Sequence, residues 1–251
     1  MIGCIIQARM GSSRLPGKVM MTIDKENPVI YYVIKQLQHC KLLEEIVVAT
    51  TTLSEDDVIE KYVTDLGKIC YRGNPNDVLD RYYQCAKIFS FSSIVRITSD
   101  CPLIDPTIVD SVIQKFKLGS YDYVSNCIPH TFPFGTEAEV FSFQCLELTW
   151  KNAKKKSERE HVTPYIYNTN NFRIASITNS EDLSYLKWSV DRIEDLKLIK
   201  KIASKIKKRP LLMKDILALY KVEPDLIKTN SDYPPDEGYR KSLKEDELTK
   251  L

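Results

Sequence analysis

The stretch GCIIQARMGSSRLPGK, residues 3–18, joins a short apolar run to a loop that is rich in glycine, serine and cations. The run from Gly3 to Ile6 is apolar throughout, as is typical of a strand buried on both faces of a parallel sheet. The loop that follows carries Arg9, Arg14 and Lys18. Arginine offers forked donors and lysine a point charge, while glycine lets backbone N–H groups approach an anion. We therefore predict that this loop binds a polyphosphate.

Similar apolar or β-branched runs recur along the first half of the chain, and segments of helical length and period lie between them. This alternation continues to about residue 120 and predicts right-handed βαβ units. The expected fold class is α/β, a three-layer α/β/α sandwich around a mostly parallel sheet. The further runs are EIVVAT (45–50), KICYR (68–72) and SIVRIT (93–98).

Beyond residue 120 the alternation is less regular. Strands are expected at YDYVSN (121–126), AEVFSF (138–143), FRIASI (172–177) and YLKWSV (185–190). Helices are expected from Phe143 to Asn152, Glu158 to Tyr167, Ile193 to Ile206 and Lys214 to Tyr220. From Thr229 the chain contains Pro234-Pro235 and mixed charge, and we expect a loose C-terminal tail over residues 229–251.

Helix starts have recognisable signals in this sequence. A capping side chain followed by proline, or a serine three residues before an acidic residue, is typical of a helix N-terminus. The proline pairs are Asn27-Pro28, Asn74-Pro75 and Asp105-Pro106, and the capping-box spacings are Ser54 to Asp57 and Ser157 to Glu160.

Composition excludes several classes of protein. Of 251 residues, 43% are hydrophobic and 28% charged, and the net charge is +2, which predicts a soluble globular protein with no bulk attraction to nucleic acid or membranes. No signal peptide is apparent, and no apolar stretch approaches the ~20 residues of a membrane span. The seven cysteines are scattered without a C-x-x-C pair, which favours reduced thiols in the cytoplasm and argues against structural zinc.

The loop does not match the common phosphate-binding motifs. A Walker A loop needs G-x4-G-K-[ST], but five residues separate Gly11 from Gly17, and Val19 follows Lys18. The dinucleotide fingerprint G-x-G-x-x-G is absent as well. The alternative is a solvated surface turn with incidental charges, which explains poorly why three cations directly follow a buried strand.

The string QARMGSSRLPGK resembles the signature of the SpsF-like family of cytidylyltransferases, which are relatives of the CMP-sialic acid and CMP-Kdo synthetases. The resemblance covers roughly residues 2–200. It implies a Rossmann-like nucleotide-diphospho-sugar transferase fold and a single nucleotidyltransferase domain over residues 1–228, in which about 127–185 serve the acceptor and a homodimer contact. It also implies use of CTP with Mg²⁺. The other matching motifs, in family order, are VATTT, RGNPNDVLDRY, VRITSDCPLIDP, FPFGTEAEVFS, EREHVTPYIY and WSVDRIEDL.

Two aspartates are candidate metal ligands. Asp100 follows the fourth predicted strand, where a carboxylate could hold Mg²⁺ together with waters and phosphates, although an aspartate before Pro102 can simply form a turn. Asp191 has capping-box spacing to Glu194, and spacing alone favours a helix cap. The resemblance instead matches Asp100 and Asp191 to the two metal-binding aspartates of the family.

The resemblance also implies a set of nucleotide-binding residues, of which Arg9, Arg14 and Lys18 are expected to act catalytically together with Asp100. Asp77 and Arg81 are four residues apart, so they could instead pair with each other on a helix surface. The expected nucleotide-binding residues are Gln7, Ala8, Arg9, Gly11, Ser12, Ser13, Arg14, Lys18, Arg72, Gly73, Asn74, Asp77, Arg81, Thr98 and Ser99.

Glu139, Arg159, Glu160 and His161 are expected to border the acceptor, some of them across a dimer interface. Glu160 could instead complete the Ser157 capping box, and His161 could be an ordinary helix residue. The implied reaction transfers CMP from CTP to an acidic acceptor. A nonulosonic-type sugar acid destined for a surface glycan is the first candidate, and a phosphonate or a polyol or sugar phosphate is the alternative.

Three other functions fit the sequence less well. A nucleotide-sugar glycosyltransferase usually carries D-x-D, and no two aspartates here are two residues apart. A sugar-1-phosphate nucleotidyltransferase usually opens its loop with G-G-x-G-T-R-L, which differs from this loop. A nucleotide-sensing subunit without activity is disfavoured because the expected cations and both aspartates are present.

Overall fold

The computed structural model describes residues 1–231 and 236–248. Over these residues the sheet has seven strands: β1 Ile2–Gln7, β2 Glu45–Thr51, β3 Ile69–Gly73, β4 Ser93–Thr98, β5 Tyr123–Ser125, β6 Glu139–Ser142 and β7 Ile174–Ser176. The α-helices over the same residues are α1 Val29–Leu37, α2 Asp57–Asp65, α3 Val78–Ile88, α4 Pro106–Leu118, α5 Phe143–Asn152, α6 Lys156–His161, α7 Pro164–Asn168, α8 Ile193–Lys205, α9 Met213–Val222 and α10 Glu237–Leu248. Short 3-10 turns occur at Lys18–Met20, Ser54–Asp56 and Pro224–Thr229.

The strands form one sheet in the order β3-β2-β1-β4-β6-β5-β7, parallel except for β6, which runs antiparallel to β4 and β5. The sheet confirms the predicted α/β class and its mostly parallel sheet. From β1 the chain moves to β2 and β3 on one side and then returns to β4 on the other. Gln7, at the end of β1, pairs with Thr98 at the end of β4, so the loops after these strands border a switch-point crevice, where α/β proteins bind ligands.

Helices cover both faces of the sheet and make the predicted third layer. Apolar side chains of α1, α2 and α4 pack against Cys4, Ile6 and Val48 on one face. Side chains of α3, α5 and α7 pack against Ile5 and Val47 on the other. Successive strand residues thus face opposite buried layers, which is why the strands are continuously apolar. A third cluster joins α8 and α9 to α1.

The predicted helix starts are only partly correct. Asp105 caps α4 as expected, since its carboxylate accepts from the Thr107 N–H at 2.8 Å, and Pro106 is the first helical residue. The start predicted at Asn74-Pro75 is wrong. Asn74 accepts from the Asn76 N–H at 2.9 Å and forms a turn, so α3 begins four residues after Asn74, behind Asp77 as its cap.

The other observed helix starts also differ from the predicted ones. Residue 28 rather than 27 precedes α1, and α2 begins at Asp57 after a 3-10 turn, with no cap bond from the Ser54 side chain. Ser157 does not cap α6, because Glu158 accepts the N–H groups of residues 154 and 155. The helix expected from Glu158 to Tyr167 is interrupted at Val162, whose φ of 72° ends α6 before α7 begins.

The strand predicted for YLKWSV (185–190) is wrong. This segment makes only an isolated bridge between Phe134 and Lys187, and its Trp188 side chain is buried in the α8–α9 cluster. Its apolar character reflects burial and not membership of a sheet. The Val190 N–H donates to the carbonyl of Asp100 at 2.8 Å, so the segment carries the following residue to the sheet edge.

The C-terminal segment differs from the expected loose tail. Residues 237–248 form α10, which packs along α6. Ion pairs and hydrogen bonds, more than an apolar stripe, bind α10 to α6. The largely polar sequence of α10 therefore gives no sign of this contact. Pro234-Pro235 lie outside the described residues. Across the described ranges, no helix is long and apolar enough to span a membrane.

Candidate active site

The loop after β1 has a defined shape. The Met10 carbonyl accepts the N–H groups of Ser12 and Gly17, both at 2.8 Å, and folds the loop back on itself. Gly17 has a φ of 71°, a left-handed conformation that glycine adopts without strain, and the turn carrying Lys18 follows it. Asp56, which the sequence analysis missed, anchors the loop by accepting the Met10 N–H at 2.6 Å.

Lys18 joins the two candidate metal ligands. Its Nζ lies 2.6 Å from Oδ2 of Asp100 and 2.9 Å from Oδ1 of Asp191, and the lysine is 8% exposed. Burial alone would lower the pKa of Lys18, but the attraction of the two carboxylates outweighs it and raises that pKa. Burial also opposes ionisation of Asp100, yet Lys18 holds the pKa of this carboxyl below its usual range. The predicted residues thus meet at one point, although they come from three distant parts of the chain.

Asp191 is fixed from several sides. Its carboxylate also accepts from Arg14, and Nζ of Lys187 lies 3.5 Å from Oδ2. The alternative that Asp191 caps α8 is wrong, because Asp195 accepts the N–H groups of Asp191 and Arg192 at 2.9 and 2.8 Å. Asp195 thereby caps α8, and the Asp191 carboxylate pairs with the neighbouring cations instead. Lys187 and Asp195 carried no sequence signal as site residues.

The two aspartates are a suitable donor set for Mg²⁺. Mg²⁺ usually takes one or two carboxylates and completes its shell with water and substrate phosphates. Asp100 and Asp191 both reach the same lysine nitrogen, so their oxygens converge on one small volume. Over residues 1–231 and 236–248 no group of three His, Cys, Asp or Glu side chains could form a cage made of protein alone.

Arg81 is the least satisfied charge near the site. It is 1% exposed, and its Nε and Nη1 are buried without hydrogen-bond partners. Burial lowers the pKa of its guanidinium. The expected alternative, a surface pair with Asp77, is wrong, because Asp77 instead caps α3 and accepts from Arg159, whose Nε lies 2.9 Å away. A side chain added at Gly73 would come within 3.1 Å of Arg81, so glycine leaves it room.

Other predicted nucleotide-binding residues are divided between the crevice and the scaffold. The Nε and Nη2 of Arg72 donate to the carbonyls of Thr51 and Leu53 at 2.8 and 2.7 Å, and its Nη1 pairs with two acidic residues of α2. It is therefore committed to the scaffold. Gln7 keeps a buried Oε1 without a partner, and the Ser99 N–H donates to its carbonyl at 3.1 Å. Ala8, Gly11, Ser12, Ser13, Asn74 and Thr98 lie in the loops after β1, β3 and at the end of β4.

The residues predicted to border the acceptor differ in how accessible their side chains are. Glu139 is buried and fully engaged, since it accepts from Tyr123 at 2.7 Å, from Thr163 at 2.6 Å and from Arg96. Arg159 is bound to Asp77. Glu160 is more accessible, and its Oε1 lies 3.3 Å from Nη2 of Arg9. Arg9 therefore faces Glu160, whereas the other two loop cations face the aspartates.

His161 adjoins Glu160 at the end of α6. Burial, and after it the positive charge of Arg96, lower the pKa of His161 to about 4, against the opposing effects of Glu160 and Glu139. The imidazole is therefore neutral at pH 7. Its Nε2 lies 3.0 Å from the Ser242 hydroxyl of α10, a neighbour that the sequence analysis missed.

A cation-rich loop after the central strand, whose lysine meets two converging aspartates at the switch point, is the arrangement expected of an α/β nucleotidyltransferase. The chain belongs to the cytidylyltransferase family, whose model matches residues 3–223. It is a CTP-dependent nucleotidyltransferase of the SpsF-like group, as the ordered motifs predict.

Known proteins similar to this chain include one solved structure with nearly complete overlap. A cytidylyltransferase from Leptospira borgpetersenii superposes with a TM-score of 0.87 at 33% identity, over 92% of this chain and 98% of that one. The spore coat polysaccharide biosynthesis protein SpsF of Bacillus subtilis is 31% identical over 88% of this chain and 94% of its own length. A 3-deoxy-manno-octulosonate cytidylyltransferase of Hydrogenovibrio crunogenus is 32% identical over 142 residues, 55% of each chain.

Proposed function

We propose that this enzyme transfers CMP from CTP to an acidic acceptor, a sugar acid of the nonulosonic type, and releases pyrophosphate. The observation that carries the proposal is the convergence of Lys18 and Arg14 with Asp100 and Asp191 at the end of β1 and β4. An acceptor oxygen attacks the α-phosphate of CTP, and the bond to pyrophosphate breaks. No protein nucleophile is needed, because positioning and charge neutralisation supply most of the catalysis.

Lys18 and Arg14 bind and neutralise the phosphates in this proposal. Before CTP binds, their charges are balanced by Asp100 and Asp191. The triphosphate competes for these cations, which then stabilise the charge that develops on the leaving pyrophosphate. Asp100 and Asp191 would hold Mg²⁺, which when bound polarises the α-phosphate as a Lewis acid.

Arg81 recognises the nucleotide in this proposal. Two of its N–H groups are buried and unpaired, which is a costly arrangement in a folded protein. Carbonyl and hydroxyl oxygens of the cytidine would satisfy these donors once the surrounding loops open, since both nitrogens are closed to solvent without nucleotide. Gly73 and Asn74, in the neighbouring loop, complete this side of the crevice.

Arg9 and Glu160 recognise the acceptor. A cation and a carboxylate lie side by side, both partly exposed, and surface pairs of this kind contribute little stability by themselves. A sugar acid carries a carboxylate, which suits Arg9, and hydroxyl groups, which suit Glu160. Support for this acceptor class also comes from the Hydrogenovibrio relative, which is named for a sugar acid, 3-deoxy-manno-octulosonate.

The biological setting follows from the same proposal. SpsF of B. subtilis is named for spore coat polysaccharide biosynthesis, and we extend such a glycan role to this enzyme. We propose one nucleotidyltransferase domain over residues 1–228, with about 127–185 serving the acceptor and a homodimer contact, and a cytoplasmic location where CTP is available.

Pyrophosphate release tests the proposal. CTP, UTP, ATP and GTP are each combined with 3-deoxy-manno-octulosonate, N-acetylneuraminate, 2-hydroxyethylphosphonate and glycerol 3-phosphate, with Mg²⁺ or with EDTA. We expect release with CTP, Mg²⁺ and a sugar acid. Release only with the phosphonate or glycerol 3-phosphate would replace the acceptor class, and activity with UTP or ATP but not CTP would overturn the nucleotide assignment.

A further inference from the structure

The helix α10 extends along α6 and reaches both sides of the crevice. At its C-terminal part, the Ser157 N–H donates to Asp246 at 3.1 Å, and Lys156 pairs with Glu245 at 2.7 Å. These contacts lie at the start of α6, away from the crevice. They bind α10 to the protein independently of the residues discussed next.

The N-terminal part of α10 lies beside the phosphate-binding loop. Glu237 accepts from Arg192, which directly follows Asp191, at 2.9 and 3.0 Å. Gly238 packs so closely on Arg14 that a Cβ there would lie 3.0 Å from Nη1. The helix therefore borders the same crevice as the residues assigned to the triphosphate.

The middle of α10 contacts the proposed acceptor residues through the hydroxyl group of Ser242 and the ring of Tyr239. Ser242 is 5% exposed, and its Oγ donates to Oε2 of Glu160 at 3.1 Å. The same hydroxyl lies 3.3 Å from the backbone carbonyl one turn earlier in α10 and 3.0 Å from Nε2 of His161. The ring of His161 also meets the Tyr239 ring edge to face, with centroids 5.1 Å apart. A hydrogen-bonded chain thus runs from His161 through Ser242 to Glu160 and on to Arg9.

We infer that α10 forms the acceptor-side wall of the active site, and that Ser242 is a positioning residue that orients Glu160 and, through it, Arg9 toward the acceptor. The inference rests on the proposed function. The contacts of Ser157 and Lys156 already dock the helix, so a buried polar chain at Ser242 is not required for docking. Such chains fix a unique arrangement of polar groups. The family match ends at residue 223, so α10 lies outside the part described by the family model.

Steady-state kinetics of full-length variants tests the inference. Ser242→Ala removes the hydroxyl, Ser242→Thr restores one, and Lys244→Ala changes an exposed residue of the same helix as a matched control. The acceptor is the compound giving the fastest pyrophosphate release in the panel above, varied at saturating CTP, and CTP is then varied at saturating acceptor. For Ser242→Ala we expect the acceptor KM to rise about 5- to 30-fold, with the CTP KM within about twofold of the parent.

The control variants distinguish a positioning role of Ser242 from a purely structural one. Ser242→Thr is expected to recover most of the acceptor KM, and Lys244→Ala to match the parent. Tyr239→Leu keeps apolar bulk against His161 but removes the ring and its hydrogen bond with Tyr167, and it serves as a second variant should Ser242→Ala fail to fold. We expect the same selective rise in acceptor KM.

Two results would overturn the inference: an unchanged acceptor KM in folded Ser242→Ala and Tyr239→Leu, or equal rises for acceptor and CTP. A parent enzyme that releases no pyrophosphate with any combination in the panel would instead remove the proposed function, and the inference with it. An active parent with unaffected variants would remove the inference alone.

Discussion

Nζ of Lys18 lies 2.9 Å from Oδ1 of Asp191 across 173 residues of sequence. The lysine belongs to the loop after the central strand, and the aspartate precedes α8. The two residues form a buried ion pair in the crevice between β1 and β4. Because Asp100 shares the same lysine, a change at any one of the three alters the balance at the other two.

Asp100→Asn is expected to reduce pyrophosphate release at least about 100-fold. The amide removes a carboxylate from the proposed metal-binding pair, and it leaves the positive charge of Lys18 only partly neutralised. The shape of the side chain is unchanged, so the circular dichroism spectrum should match the parent. Asp225→Asn, at a largely exposed position, is the control and should keep full activity. Normal rates for Asp100→Asn would contradict the metal assignment.

Arg81→Met should raise the free energy of unfolding without nucleotide by about 1–2 kcal/mol, because it removes a buried guanidinium with two unpaired N–H groups. The same change should weaken CTP binding about tenfold or more. Urea unfolding and titration calorimetry measure the two quantities. Arg173→Met replaces an exposed arginine paired with Asp122 and is expected to change neither appreciably. Unchanged CTP affinity in Arg81→Met would argue against nucleotide recognition by this residue.

The ion pair between Asp77 and Arg159 should appear as a coupling energy in a double-mutant cycle. Asp77→Asn retains a good helix cap but loses the charge, and Arg159→Gln removes the guanidinium. We expect a coupling of about 1–2 kcal/mol in urea unfolding, because the pair is partly buried and joins α3 to α6. Additive effects of the two changes would show that the contact contributes nothing beyond its parts.

Gly135→Ala should destabilise the protein by about 3 kcal/mol or more, since its φ is 99° and a Cβ would lie 2.6 Å from the backbone of Trp188 and Ser189. Gly67→Ala is the matched control. Its φ of 68° is also left-handed, but no atom lies within 4 Å, so we expect a loss of only about 1 kcal/mol. Equal losses of thermal stability in the two variants would refute the predicted steric clash.

His161 should make stability depend on pH. The pKa of about 4 in the folded protein lies below the ~6.5 of an unfolded chain, so the unfolded state binds the extra proton. Its contribution is therefore complete above pH 6.5 and declines as the pH falls toward 4, by about 1–2 kcal/mol at pH 5. His161→Gln should show a shallower decline in urea unfolding between pH 7 and pH 5. Parallel curves for parent and variant would contradict this assignment.

The parts of the fold that follow from local pattern were predictable. Unbroken apolar runs reveal strands that are covered on both faces, and their order with intervening helices predicts the layers. The position of the cation-rich loop after β1 then places Lys18 and Asp100 at one sheet edge, because the carboxyl ends of parallel strands lie at the same edge. Asp191 follows only from the family resemblance, because its spacing to Glu194 favours a helix cap.

The parts that depend on tertiary packing could not be predicted. The spacing of Asp77 and Arg81 identifies them as helix neighbours but does not reveal that Arg159, 82 residues away, takes the carboxylate. Glu139 looks like a free carboxylate in the sequence, yet burial brings three donors to it. The docking of α10 on α6 depends on such polar contacts, which leave no periodic signal.

The separation of Lys18 from Asp191 also sets an order of events during synthesis. At about 5–20 residues per second, the 173 residues between them take roughly 10–35 s to emerge from a ribosome. Throughout that interval Arg14 lacks Asp191, the carboxylate with which it pairs in the finished molecule. The loop after β1 is therefore made well before Asp191, and it reaches its final electrostatic surroundings only after that residue has been made.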